Sequence, residues 1–107
     1  MYAHPQQETN YDVRELRRAA GRWLKSLREQ RGLSQRQLAE KVGVEYYTFI
    51  SQLEAGRGRV PPERYETWAA ALGVEPKWFV KGLMQFYDPI THRILFGDTD
   101  ADTAGQG

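Results

Sequence analysis

The stretch Leu33–Gly56, LSQRQLAEKVGVEYYTFISQLEAG, decides how the chain folds. Ser34 followed three residues later by Gln37 makes a capping box, in which each side chain accepts from the other residue's backbone amide. The helix that starts there runs to about Val42. Leu38, Ala39 and Val42 recur at three- and four-residue spacing and turn inward. Gly43 ends it, because the chain must turn sharply and a positive φ is cheapest at glycine. A second short helix follows after a very short turn and covers roughly Tyr46 to Ala55 before Gly56 stops it. Phe49, Ile50 and Leu53 are its inward candidates, while Tyr46 suits core and surface equally. Ala39 is small because the two helices cross closely there.

Working upstream, a first helix covers about Asp12 to Arg31. Val13, Leu16, Ala20, Trp23, Leu24 and Leu27 share one face, and Arg14, Arg17, Arg18, Arg22, Lys25 and Arg28 share the other. Gly21 interrupts the pattern and marks either a break or a close small-residue contact, and Gly32 supplies the stop. Downstream, Arg57 to Val60 form a loop. Pro61-Pro62 opens a helix with Tyr65, Trp68, Ala69 and Leu72 apolar, and Gly73 ends it. Pro76 opens another that runs to about Tyr87, with Trp78, Phe79, Leu83 and Phe86 apolar, and Asp88-Pro89 ends it. Ile90 to Phe96 alternates less cleanly and admits a short strand. Residues 1–10 and 98–107 read as a disordered lead and tail. The expected layout is an all-α domain over 11–88, a C-terminal extension over 89–97 and the two tails.

The 107 residues suffice for one modest core. The absence of cysteine excludes disulfides, thiolate metal sites and cysteine nucleophiles. The two histidines, His4 and His92, lie far apart, and His92 reads as a surface residue rather than a ligand. No apolar run approaches a membrane span, and the polar N-terminus lacks the order of a signal peptide, so the expected location is the cytoplasm. A glycine-rich phosphate loop and paired carboxylates on a common helical face are also missing. No catalytic residue, metal or cofactor is therefore expected. The net charge of +1 hides an uneven distribution. Residues 14–59 carry +6, whereas 1–13 carry −2 and 60–107 carry −3. Positive charge concentrated in one segment fits either a polyanion partner or a solvated surface.

Two short helices joined by a glycine turn form the helix-turn-helix pattern. The polar residues left outside on its second helix are Glu45, Tyr47, Thr48, Ser51 and Gln52, groups suited to hydrogen bonds with base edges and phosphates. The segment resembles the Cro/repressor-type, or xenobiotic-response-element, helix-turn-helix family. The matching residues are Leu27-Arg28, Arg31-Gly32-Leu33-Ser34-Gln35, Leu38-Ala39, Val42-Gly43-Val44, Ile50, Leu53-Glu54 and Gly56. Pro61, Leu72-Gly73-Val74 and Trp78-Phe79 continue it, so that it spans about Arg22 to Gly82. The resemblance implies a lambda-repressor-like bundle of about five helices with the third in the major groove. One departure stands out. The family usually has six residues from the turn glycine to the helix-three isoleucine, whereas Gly43 to Ile50 is seven, which places the added residue in the turn or first helical turn.

The resemblance also implies roles. Tyr47, Thr48, Ser51 and Gln52 match groove-facing positions, with Gln52 suited to adenine and Thr48 to a thymine methyl. Gln35 matches a residue that holds a phosphate and buttresses helix three. Arg36, Lys41, Arg57, Arg59 and Arg28 are the other phosphate candidates. Glu54 reads as structural, bonding backbone or Arg57. The basic face on the first half of helix one extends beyond the usual family helix and reads as solvated. Leu83, Phe86, Tyr87, Ile94, Leu95 and Phe96 exceed what a small core needs and are the expected homodimer surface, with the start of helix one as the other candidate. The expected function is a homodimeric regulator that binds double-stranded DNA. The alternative is an antitoxin-like module that represses its own operon and binds a protein partner through its C-terminal tail.

Overall fold

The computed structural model describes residues 12–97, so the expected lead and tail lie outside the described residues. Six α-helices follow in order: α1 (Val13–Gln30), α2 (Gln35–Val42), α3 (Thr48–Glu54), α4 (Tyr65–Leu72), α5 (Pro76–Tyr87) and α6 (Pro89–Phe96). A single 3-10 turn, Pro62–Arg64, leads into α4. The fold is all-α.

Each start has a local cause. The Asp12 carboxylate accepts from the amides of Arg14 and Glu15 at 3.1 and 3.3 Å and caps α1. The capping box at α2 forms in both directions, Gln37 N–H to Ser34 Oγ at 3.0 Å and Ser34 N–H to Gln37 Oε1 at 2.8 Å. Gly43 leaves α2 with φ 77°, the left-handed cap its position requires. Arg64 then donates to the Val42 carbonyl at 2.7 Å and ties the approach to α4 onto the end of α2.

α3 begins at Thr48 rather than Tyr46, and no side chain caps it. Gly43 to Tyr47 form the turn.

The core gathers Leu24, Leu27, Leu38, Val42, Ile50, Leu53, Val60, Trp68, Leu72, Phe79 and Leu83. Trp23 stacks on Phe79 with ring centroids 5.8 Å apart, and Trp78 and Phe86 close around it at 5.7 and 6.0 Å. α1 is unbroken at Gly21. A Cβ there would run into the backbone carbonyl of Glu54, so the glycine is the close contact that lets α1 cross the end of α3.

Two expectations for the C-terminal part are corrected. Residues 90–96 are helix, not strand. Asp88 accepts from the Thr91 amide at 3.2 Å, and Pro89 supplies a helical φ in the first turn, so the pair that ends α5 also starts α6. Leu83 and Tyr87 do not face a partner. Leu83 is fully buried in the core, and the Tyr87 hydroxyl accepts from the Val60 amide at 3.0 Å. Phe86 is half-buried against Trp23. The apolar residues that remain outside in this part of the chain are Ile90, Ile94, Leu95 and Phe96 on α6, together with Trp78.

Candidate nucleic-acid interface

α3 has an inner and an outer side. Ile50 and Leu53 face the core and are 1% and 3% exposed. On the same inner side Glu54 meets Arg28 from α1 through two hydrogen bonds, Nε to Oε2 at 2.6 Å and Nη2 to Oε1 at 3.1 Å. The third guanidinium nitrogen donates to the Leu33 carbonyl at 2.7 Å. Gln35 completes the group, its amide donating to Glu54 Oε1 at 2.9 Å. Both charged side chains are under a tenth exposed. A two-bond guanidinium–carboxylate pair of this kind fixes direction as well as distance. The hydrogen bonds that Arg28 donates to Glu54 raise the arginine's pKa above its usual value.

This group corrects two expectations. Arg28 is engaged in the interior and cannot reach a phosphate. Glu54 pairs with Arg28 rather than Arg57. Gln35 joins the start of α2 to the end of α3 through this bond.

The outer side is open. Tyr46, Thr48, Phe49, Gln52 and Arg57 line one shallow concavity with Val44 and Glu45. Thr48 and Gln52, four residues apart, stand on one helical face and are exposed. Ser51 is half-buried. Arg36 from α2 lies over the Tyr47 ring, 4.3 Å from its centroid, so a cation from the first helix of the motif flanks the start of the second. Phe49, expected inside, is 38% exposed, with its edge against the buried Trp68. Tyr46, which the pattern left undecided, is 66% exposed.

The other cations sit apart. Lys41 borders a depression with Glu66, Thr67, Ala70 and Ala71 between α2 and α4, away from the concavity of α3. Arg59 lies 4.5 Å above the Tyr87 ring, and Arg17 of α1 lies 5.6 Å from the same centroid. Arg18 and Arg22 bind Glu15 at 3.0 and 3.1 Å across an exposed surface, and hydrogen bonds from Arg22 and Arg18 hold Glu15 below the usual carboxylate range. The structure thus joins Tyr47, Thr48, Gln52, Arg57 and Arg36 in one surface and sets Lys41 on another. His92 is half-buried, not on the open surface, with its ring 5.3 Å from that of Phe96.

Sequence reasoning missed Arg17, which shares an aromatic ring with a loop arginine 42 positions further along. Nothing in local spacing signals that meeting. Among the described residues no cluster of histidine, aspartate and glutamate could hold a metal ion, and no helix is long and apolar enough to cross a membrane.

Comparison with known proteins agrees with this geometry. A helix-turn-helix family model matches residues 24–79. Among solved structures, the restriction-modification controller protein C.AhdI from Aeromonas hydrophila is similar, with a TM-score of 0.53 and 31% sequence identity. The match covers 61% of this chain and 96% of that one. No significant match was found among curated proteins.

Proposed function

The chain belongs to the Cro/repressor-type helix-turn-helix family of DNA-binding transcriptional regulators, and from that premise we propose that it acts as a homodimer with α3 in the major groove of its operator. The observation that carries this reading is the contrast between the two sides of α3. The inner side is fixed by Arg28, Glu54 and Gln35, and the outer side presents Thr48 and Gln52 without a protein partner for either side chain among the described residues. A rigid helix with a free amide and hydroxyl in register is what direct base readout needs. Tyr47, Arg36 and Arg57 border that face and serve the flanking backbone.

Homodimerisation rests on α6. Ile90, Ile94, Leu95 and Phe96 are 39–62% exposed, and Phe96 borders an open groove lined by Trp78, Val80 and Met84. Exposed apolar surface on one short helix suits an interaction site. A two-fold axis through it presents two copies of α3 to a spaced palindrome, and duplicated contacts raise affinity and specificity together.

The test is sedimentation of the protein alone and with duplex fragments of its own promoter, at two salt concentrations. A dimer that prefers its promoter over random duplex supports the proposal. A monomer with only salt-sensitive, sequence-blind binding overturns it. The likeness to a restriction-modification controller favours one narrower role, control of restriction-modification genes. Deleting the gene should then change transcript levels of such genes and leave others unaffected.

A further inference from the structure

Arg17 and Arg59 come from segments far apart in sequence, yet both guanidinium groups lie against one ring, that of Tyr87. The two cations can be no farther apart than 5.6 and 4.5 Å taken end to end. Among the described residues neither has a carboxylate within ion-pair distance, whereas the neighbouring Arg18 and Arg22 are both held by Glu15. Gathering two cations without a counterion is unfavourable unless something offsets the repulsion. The face of the ring offsets part of it. An arriving anion would offset the rest.

The surroundings make the arrangement rigid. The loop that carries Arg59 is anchored at both ends. At its start Gly56 lies so close to α1 that a Cβ would meet the Arg18 backbone at 2.9 Å, and at its end the fully buried Val60 donates to the Tyr87 hydroxyl at 3.0 Å. Burial raises the Tyr87 pKa above the usual tyrosine value, so the phenol stays neutral and adds no charge of its own. Arg17 and Tyr87 both lie outside the family-matched segment 24–79, so only Arg59 of the three falls within the shared motif.

We propose that Arg17 and Arg59 form a paired contact to the DNA phosphate backbone, with Tyr87 as the positioning residue that holds both cations toward it. This rests on the DNA-binding reading above and adds the first half of α1 to the footprint.

Each phosphate neutralised changes the slope of log Kobs against log salt by about 0.9, which supplies the test. The probe is a random-sequence DNA duplex titrated over a range of salt, with circular dichroism confirming each variant is folded. Arg17→Ala and Arg59→Ala should each flatten the slope by about 0.9, and Arg17→Lys should restore it. Tyr87→Leu should flatten it by one to two such steps although it removes no charge, and comparison with Tyr87→Phe, which loses only the hydroxyl that anchors Val60, separates the role of the ring from that of the loop anchor. Tyr87→Phe keeps the ring and should stay close to the parent slope. If Arg17→Ala leaves the slope unchanged while the parent binds duplex, the paired contact is wrong and the DNA-binding reading stands. If the parent binds no duplex, both fall. Arg17 is half-buried on a long helix and Arg17→Lys keeps its charge, so the two Arg17 variants together remain decisive even where Tyr87→Leu does not fold.

Discussion

α3 and α6 are helices of nearly equal length, 7 and 8 residues, held in place by opposite means. α6 has the better local signals: Asp88 caps it and Pro89 opens it, yet none of its residues is buried. α3 has no side-chain cap, but Ile50 and Leu53 are buried and Glu54 is pinned by Arg28 and Gln35. An isolated helix of this size is marginal in water, so both depend on what they touch. Tertiary contacts fix the orientation of α3, as a reading surface requires. α6 has its own caps and keeps Ile90, Ile94, Leu95 and Phe96 exposed. The difference separates a helix built to be precise from one built to be available.

The strongest way to break this contrast is to remove the anchor of α3. Glu54→Ala leaves the Arg28 guanidinium buried without its partner and should destabilise the protein by about 3–5 kcal/mol, read from urea denaturation. A loss below 1 kcal/mol would mean that the pair does not hold α3. Gly21→Ala drives a Cβ into the carbonyl of Glu54 and should cost about 1–3 kcal/mol. Because it pushes on α3 from below, it should weaken promoter binding even in conditions where the protein remains folded. Gln52→Ala tests the outer side of the same helix. It should leave the denaturation midpoint unchanged and reduce promoter binding by about 1–3 kcal/mol, with little loss on random duplex. Equal losses on both duplexes would remove Gln52 from the base-reading set. The smallest effect belongs to α6. Asp88→Ala should cost about 1 kcal/mol and weaken dimerisation in sedimentation, while the binding of a single protomer to random duplex stays as it was.

The capping box, the helix stops at Gly43 and Gly73, and the apolar faces of α1, α2, α4 and α5, apart from the exposed Val13 and Trp78, were legible in the chain, because each is set by residues within one or two turns. The contents of α3's outer face were equally legible, since they follow from helical spacing once Ile50 and Leu53 are known to point inward. The misreadings share a cause. Arg28 looks like a surface cation until Glu54, 26 residues away, is brought beside it. Leu83 and Tyr87 look like surplus hydrophobic surface until α1 and the loop at Val60 fold over them. Residues 90–96 alternate weakly enough to suggest a strand, but a cap and a proline outweigh the pattern.

By itself the sequence determined the first five helices, their order, and the motif that carries the DNA-binding face, because periodicity, caps and glycine stops act over a few residues. Only the tertiary structure decided which charges are spent inside and which remain for a ligand. That choice depends on pairings across the fold, Arg28 with Glu54 and Arg17 with Arg59 at one tyrosine, that no local pattern encodes.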